Sequence, residues 1–349
     1  MASASNTASN TAAFVIIHRD KIGTPDRVFS YEEGEATYVL VAINICRELL
    51  NHNKSQEALA EMAEIVREKH PRAWYENLNN AEIVKEFIQV VLNTFPWVFV
   101  DDSFDNPNFT GCHYRRKYEG DFADSQGICL NGPRIRDMCT AAKQAKESKD
   151  PKTHQQYRTF IFLFAITLFH ELGHVFITFL SRDDHSTPEE LNALGIHERG
   201  QSEAGASLEA LVFGGTVVHA RDDAYDNCQP GAPHLIRAEN GLQIPEQIVD
   251  EFVQCNFKLP FVTSDPPISV PLKQIGESYN APPLSDPMDP ETYPMLRKLV
   301  KKHVSNPFNF AELEKLEPST STRSKVQVGR QSVLAQKVLR PDLAIKVVE

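Results

Sequence analysis

Cysteine is sparse in this chain. Six Cys stand at positions 46, 112, 129, 139, 228 and 255, and no two of them form a C-x-x-C pair. That excludes a zinc ribbon and a dense disulfide framework, and reduced thiols are expected. Positive charge is also short: 36 Lys and Arg against 47 Asp and Glu leave a formal net charge of −11. Nucleic-acid binders draw general affinity from basic side chains that displace phosphate counterions, so no nucleic-acid partner is expected. Met1 to Ala12 contain Ser, Asn, Thr and Ala, with neither a basic n-region nor an apolar h-region. Without a conventional secretory signal, the expected location is cytoplasmic. There is no G-x-S-x-G elbow, P-loop, dinucleotide fingerprint or internal repeat.

Long apolar stretches are limited to one, Phe160 to Leu180. Its length suits a membrane span. Its uninterrupted apolar part ends at Phe169, however, and no comparable stretch accompanies it. A buried core helix, and no membrane span, is the reading.

Inside that stretch His170, Glu171, Leu172, Gly173 and His174 spell HELGH. Imidazoles buried in apolar company cost several kcal/mol unless something satisfies them. On a helix the i, i+4 spacing stacks His170 and His174 on one face, where both can ligate one metal ion. Glu171 lies about a third of a turn away. It is too far round to be a third ligand there, but within reach of a metal-bound water. The pattern assigns Zn²⁺ to the two imidazoles and the general base to Glu171.

The surrounding order is α+β. Helical periodicity runs from Glu35 to Leu50, through Leu59 to Val66, and through Ile83 to Val91. Residues 1–25 read as a disordered tail in which the apolar run Ala13 to Ile17 docks as a strand, and 26–95 as a helical subdomain. From Pro96, strands are expected at Trp97 to Val100 and Gly127 to Leu130, then a helix from Pro133 to Lys146 and the HELGH helix. The strand at Ile128 to Asn131 is expected to offer an exposed edge to a peptide. Thr187-Pro188-Glu189-Glu190 reads as a capped helix start, a further helix is expected from Ser202 to Gly214-Gly215, and Thr216 to Ala220 reads as a strand. These place a metal-binding domain with a small mixed or antiparallel sheet at 96–257. Nine of the 22 prolines fall between Pro260 and Pro294, so 258–349 reads as a Pro-rich arm and C-terminal extension. Short helices at Met295 to His303 and Phe310 to Leu316 are expected within it.

A catalytic zinc takes three protein ligands and keeps one position open. Ile177 and Leu180 replace the Gly and His of a metzincin. The third donor is therefore sought on a later helix, and Glu203 fits best: small residues beside it, Ala204, Gly205 and Ser207, allow close helix approach. Glu209, about 240° further round, is the next choice, followed by His185, His197 or an Asp of the loop. His219, Arg221 and Tyr225 are weaker candidates for stabilising an oxyanion. Cys112-His113 with Cys129 and Cys139 lacks the spacing of a second zinc site.

HELGH followed by a carboxylate-bearing helix resembles the gluzincin branch of zinc metallopeptidases. More narrowly, Arg199-Gly200, Ser202-Glu203-Ala204-Gly205, Leu208-Glu209 and Phe213-Gly214-Gly215 are similar to a group of fungal HExxH proteins of unassigned role. The resemblance covers about Phe160 to Ala220. It implies a zincin-like fold, His170, His174 and Glu203 as ligands, Glu171 as catalytic base, and a peptide or protein substrate. Where many gluzincins place an Asp that orients a metal-binding His, this chain has Ser207. The competing reading is a non-enzymatic protein whose zinc pins two helices and whose Pro-rich arm binds partners.

Overall fold

The computed structural model describes residues 11–12, 15–20, 27–29, 269–271 and 308–309. Between 34 and 263 it describes every position except 70, 72–74, 115, 117–121, 183–186, 190, 192–202, 222–227 and 238–239. In chain order the elements are β1 (Thr11–Ala12), β2 (Ile16–Arg19), β3 (Arg27–Val28), α1 (Gly34–Leu50), α2 (Asn53–Lys69), α3 (Asn80–Asn93), β4 (Trp97–Asp101), β5 (Gly111–Tyr114), α4 (Phe122–Ser125), β6 (Gly127–Asn131), α5 (Gly132–Glu147), α6 (Pro151–Ser181), α7 (Ala204–Phe213), β7 (Thr216–Ala220), β8 (Ala232–Arg237), β9 (Asn240–Gln243), α8 (Glu246–Val253), β10 (Ser269–Pro271) and β11 (Phe308–Asn309). The architecture is mixed α+β, as the sequence order indicates.

The main sheet has the order β3-β2-β4-β6-β5. Strands β2, β4 and β6 run parallel, while β3 and β5 are antiparallel at the two edges. Parallel neighbours need a crossover, and α1 to α3 supply the one between β2 and β4. Helices α1 to α3 share one hydrophobic core with α6. Side chains alternate across the sheet: Val98, Val100, Ile128 and Leu130 face the helices, while Trp97, Phe99 and Cys129 join Ile17 and Phe104 in a smaller cluster on the other face. The apolar run near the N-terminus does become a strand, shifted to Ile16–Arg19.

The expected edge at Ile128 to Asn131 is corrected. β6 is held between β4 and β5, and the edge is β5, Gly111–Tyr114. The capped helix expected at Thr187 does not form among the described residues. Leu191 is instead tied down, its carbonyl accepting the Glu203 N–H at 3.1 Å and the Ser207 hydroxyl at 2.7 Å.

A second, antiparallel sheet has the order β10-β9-β8-β7. Pro271 ends the outer strand β10, an edge position where its missing N–H costs least. The expected helices beyond Pro294 lie outside the described residues. Between the two sheets lies α6, capped by Asp150 and opened by Pro151. It alone among the described helices is long and apolar enough to cross a membrane, yet 89% of its most apolar window is buried within the protein.

Candidate metal centre

The centre lies where α6 and α7 cross. Two glycines permit the contact: a Cβ on Gly173 would come within 2.8 Å of the Ala204 carbonyl, and one on Gly205 would overlap the His170 ring. Glu203 is the N-cap of α7, not part of its first turn as expected. Its Oε2 accepts the Ala206 N–H at 2.5 Å, so the carboxylate sits on the positive end of the helix with its direction set by the backbone.

From there Glu203 reaches both histidines. Oε1 contacts His174 Nε2, and Oε2 lies 3.4 Å from His170 Nε2. His170, His174 and Glu203 offer donor atoms within 4.8 Å of one another, a cluster that could hold a metal ion. Glu209 is not a fourth member. Its Oε1 accepts a hydrogen bond from His170 Nδ1 at 2.6 Å, and its Oε2 accepts the Val217 N–H at 2.6 Å. The orienting carboxylate missing at Ser207 is therefore supplied two residues later. Ser207 itself donates to the Leu191 and Glu203 carbonyls and braces the start of α7.

The electrostatics match that arrangement. Burial works against a charged His170, but Glu203 and Glu209 outweigh it and hold its pKa well above the usual value. Burial would raise the Glu203 pKa, yet His174 and His170 hold it well below the carboxylate range. Such a cluster demands positive charge at its centre, which protons or a divalent cation provide. Glu171, 5% exposed, has its pKa raised by burial, partly opposed by the two histidines.

A cavity of about 450 Å³ opens beside the cluster, bounded by β5 on one side and β7 on the other. His113 of β5 faces it, with its ring stacked 6.4 Å from that of His174 and its Nε2 2.8 Å from Gln126 Oε1. Weighed only within a Cys-His pair, His113 was not foreseen here; the alternation Gly111/His113 against Cys112/Tyr114 was the available signal. His219 and Arg221 also line the cavity. His185, His197 and Tyr225 lie outside the described residues. Cys112 and Cys129 are cross-strand neighbours and Cys139 lies on α5; none belongs to a metal-binding group among the described residues. A second such group, His18, Asp20 and Asp102, has its central carboxylate already shared by His18 and Arg136.

Comparison with protein-family models, curated proteins and solved structures finds no match.

Proposed function

We propose that this chain is a zinc-dependent peptide hydrolase of gluzincin type, with a zincin-like metal-binding domain. One observation carries the reading: two α6 imidazoles and the Glu203 carboxylate bring three donors to one point beside a cavity. His170 Nε2, His174 Nε2 and Glu203 would hold the ion, and the N/O donor set fits Zn²⁺. Zinc in such a site polarises a carbonyl and lowers the pKa of bound water towards about 7.

The chain's own groups support the rest. Glu171, buried and with its pKa raised, is suited to take and hold a proton at its carboxylate. Glu209 fixes the His170 proton on Nδ1 and leaves the Nε2 lone pair for the site. The β5 edge has backbone groups to pair with an extended peptide alongside the cavity. Against a purely structural zinc stand the three-membered donor group among the described residues and the adjoining cavity, because a structural site is closed by a fourth protein ligand.

The test is metal analysis combined with a broad peptide library. Wild type binds one zinc and cleaves. Glu171→Gln keeps the zinc and loses cleavage, and Glu203→Ala loses the zinc. A zinc-loaded wild type that cleaves no peptide would remove the hydrolase reading.

A further inference from the structure

The cavity runs along α6, and its two walls set its scale. On one wall Thr110 accepts a hydrogen bond from the Thr167 hydroxyl at 3.0 Å, and His113, further along β5, stacks against His174. On the other, the Val217 N–H is bonded to Glu209 behind His170, and the His219 ring lies 6.0 Å from that of Phe162. Strand β5 therefore follows α6 in direction and β7 opposes it, with the cavity between these two edge strands. From His170 the lining reaches Leu163, about 11 Å back along the helix. It ends at Arg134, whose guanidinium carbon lies 5.1 Å from the Phe160 ring, and Phe160 is about 15 Å back from His170.

The two ends differ in access. At the metal end the His170, His174 and Glu203 side chains are 19%, 18% and 20% exposed. At the far end the Arg134 side chain lines the cavity and is only 2% exposed. A group that borders a cavity yet meets almost no solvent marks where the cavity stops.

Segments from both walls and from behind form that stop. Arg221, just beyond β7, donates to Asn108 Oδ1, ahead of β5, at 3.0 Å and so crosses from wall to wall. Behind this crossing the loop leading into β8 is pinned by its backbone. The Cys228 carbonyl accepts from Gln156 of α6 at 3.0 Å, and the Gln229 carbonyl accepts from Arg134 of α5 at 2.5 Å. Pro230, the next residue, is buried and lines the cavity. These bonds act as crosspieces, whatever the net charge around them.

We propose that the cavity is a blind pocket for one end of a peptide chain, so that the hydrolase releases fragments of about four residues at most from one terminus. An extended chain advances ~3.3 Å per residue, and about 15 Å holds four. Each cut adds one water across one amide bond, its hydroxyl going to the carbonyl carbon and its hydrogen to the departing amine. Binding of a chain end needs no cut; the fragment length rests on the hydrolase reading.

The test uses full-length, zinc-loaded protein and peptides of about twelve residues, ~40 Å when extended, offered as linear chains and closed head to tail. Mass spectrometry of the wild-type digest is expected to show a first fragment of about four residues or fewer, always from the same terminus. The ring has no end to insert and should be cut at least about tenfold more slowly in kcat/KM. Asn108→Ala removes the acceptor of the crossing and should lengthen the fragment. Val218→Phe fills the cavity from β7 and should shorten it, which keeps the idea testable if the first variant folds poorly. First cuts in the middle of the linear chain, or equal cleavage of ring and line, overturn the proposal. Binding to zinc-loaded Glu171→Gln, read by fluorescence anisotropy, separates the two ideas. Linear peptides that bind about tenfold or more tighter than the ring, with no cleavage by the wild type, keep the pocket and remove the hydrolase reading. Mid-chain cleavage with equal binding of both forms does the reverse, and failure of both forms to bind overturns the pocket.

Discussion

Glu209 stands directly behind His170, accepting its Nδ1 proton at 2.6 Å while its other oxygen is held by the Val217 N–H, also at 2.6 Å. The imidazole is thereby fixed in tautomer and orientation, and its Nε2 is left facing Glu203. A carboxylate that is 2% exposed and bonded through both oxygens cannot turn towards the metal position without breaking both bonds.

Replacing Glu209 with Gln keeps its shape and removes its charge. Zinc affinity is expected to fall 10- to 100-fold with the fold intact, as for loss of an orienting partner behind a metal-binding His. Competition against a chromogenic chelator measures this. An unchanged affinity would show that the His170–Glu209 bond does not support the site.

Gly205→Ala is expected to disrupt the site without touching a ligand. The new methyl group would overlap the His170 ring. Either α7 moves away, carrying Glu203 with it, or the ring turns. Overpacking of this kind costs about 1–3 kcal/mol. Chemical denaturation and zinc content should both register the change, whereas Ala206→Gly, one residue on, should retain the zinc.

Chelation should lower stability in the wild type only. A ligand bound to the native state alone stabilises by about 4 kcal/mol at a thousandfold excess over Kd. Stripping zinc from wild type should lower Tm by several degrees. Glu203→Ala should show no such shift, and a shift of equal size in that variant would place the ion elsewhere.

Acid sensitivity should have a contribution from His219. Its folded pKa of about 3 lies below the ordinary value near 6.5, so the unfolded chain takes up the proton first. The stability this gives is complete above about pH 6.5 and is lost as the pH falls towards about 3. His219→Leu should flatten stability against pH between about 4 and 6 by up to ~1.4 kcal/mol per pH unit relative to wild type. Urea unfolding at matched zinc loading gives the slope, and parallel curves for the two proteins would contradict an imidazole held neutral in the folded chain.

Local periodicity made much of this molecule readable. The Gly214-Gly215 stop placed the end of α7 to within a residue or two, whereas the apolar run around the i, i+4 histidines marked only the later part of α6, which begins nine residues before Phe160 at Pro151. Ala204 and Gly205 marked the close crossing correctly, because small side chains are what such a contact requires. β5 was not expected, since Gly-Cys-His-Tyr has no β-branched residue and its alternation of Gly111 and His113 with Cys112 and Tyr114 spans only four positions.

By itself, the order of residues determined that two imidazoles share one helical face and that Glu203 stands at the mouth of the next helix, because helix geometry depends on neighbours a few positions apart. Only the folded chain decided that β6 is interior and β5 the edge, that Glu209 backs His170, and that His113 of β5 and His219 of β7 line the same cavity as the α6 histidines. Those relations join residues dozens of positions apart, and they follow from strand pairing and core packing that no local pattern encodes.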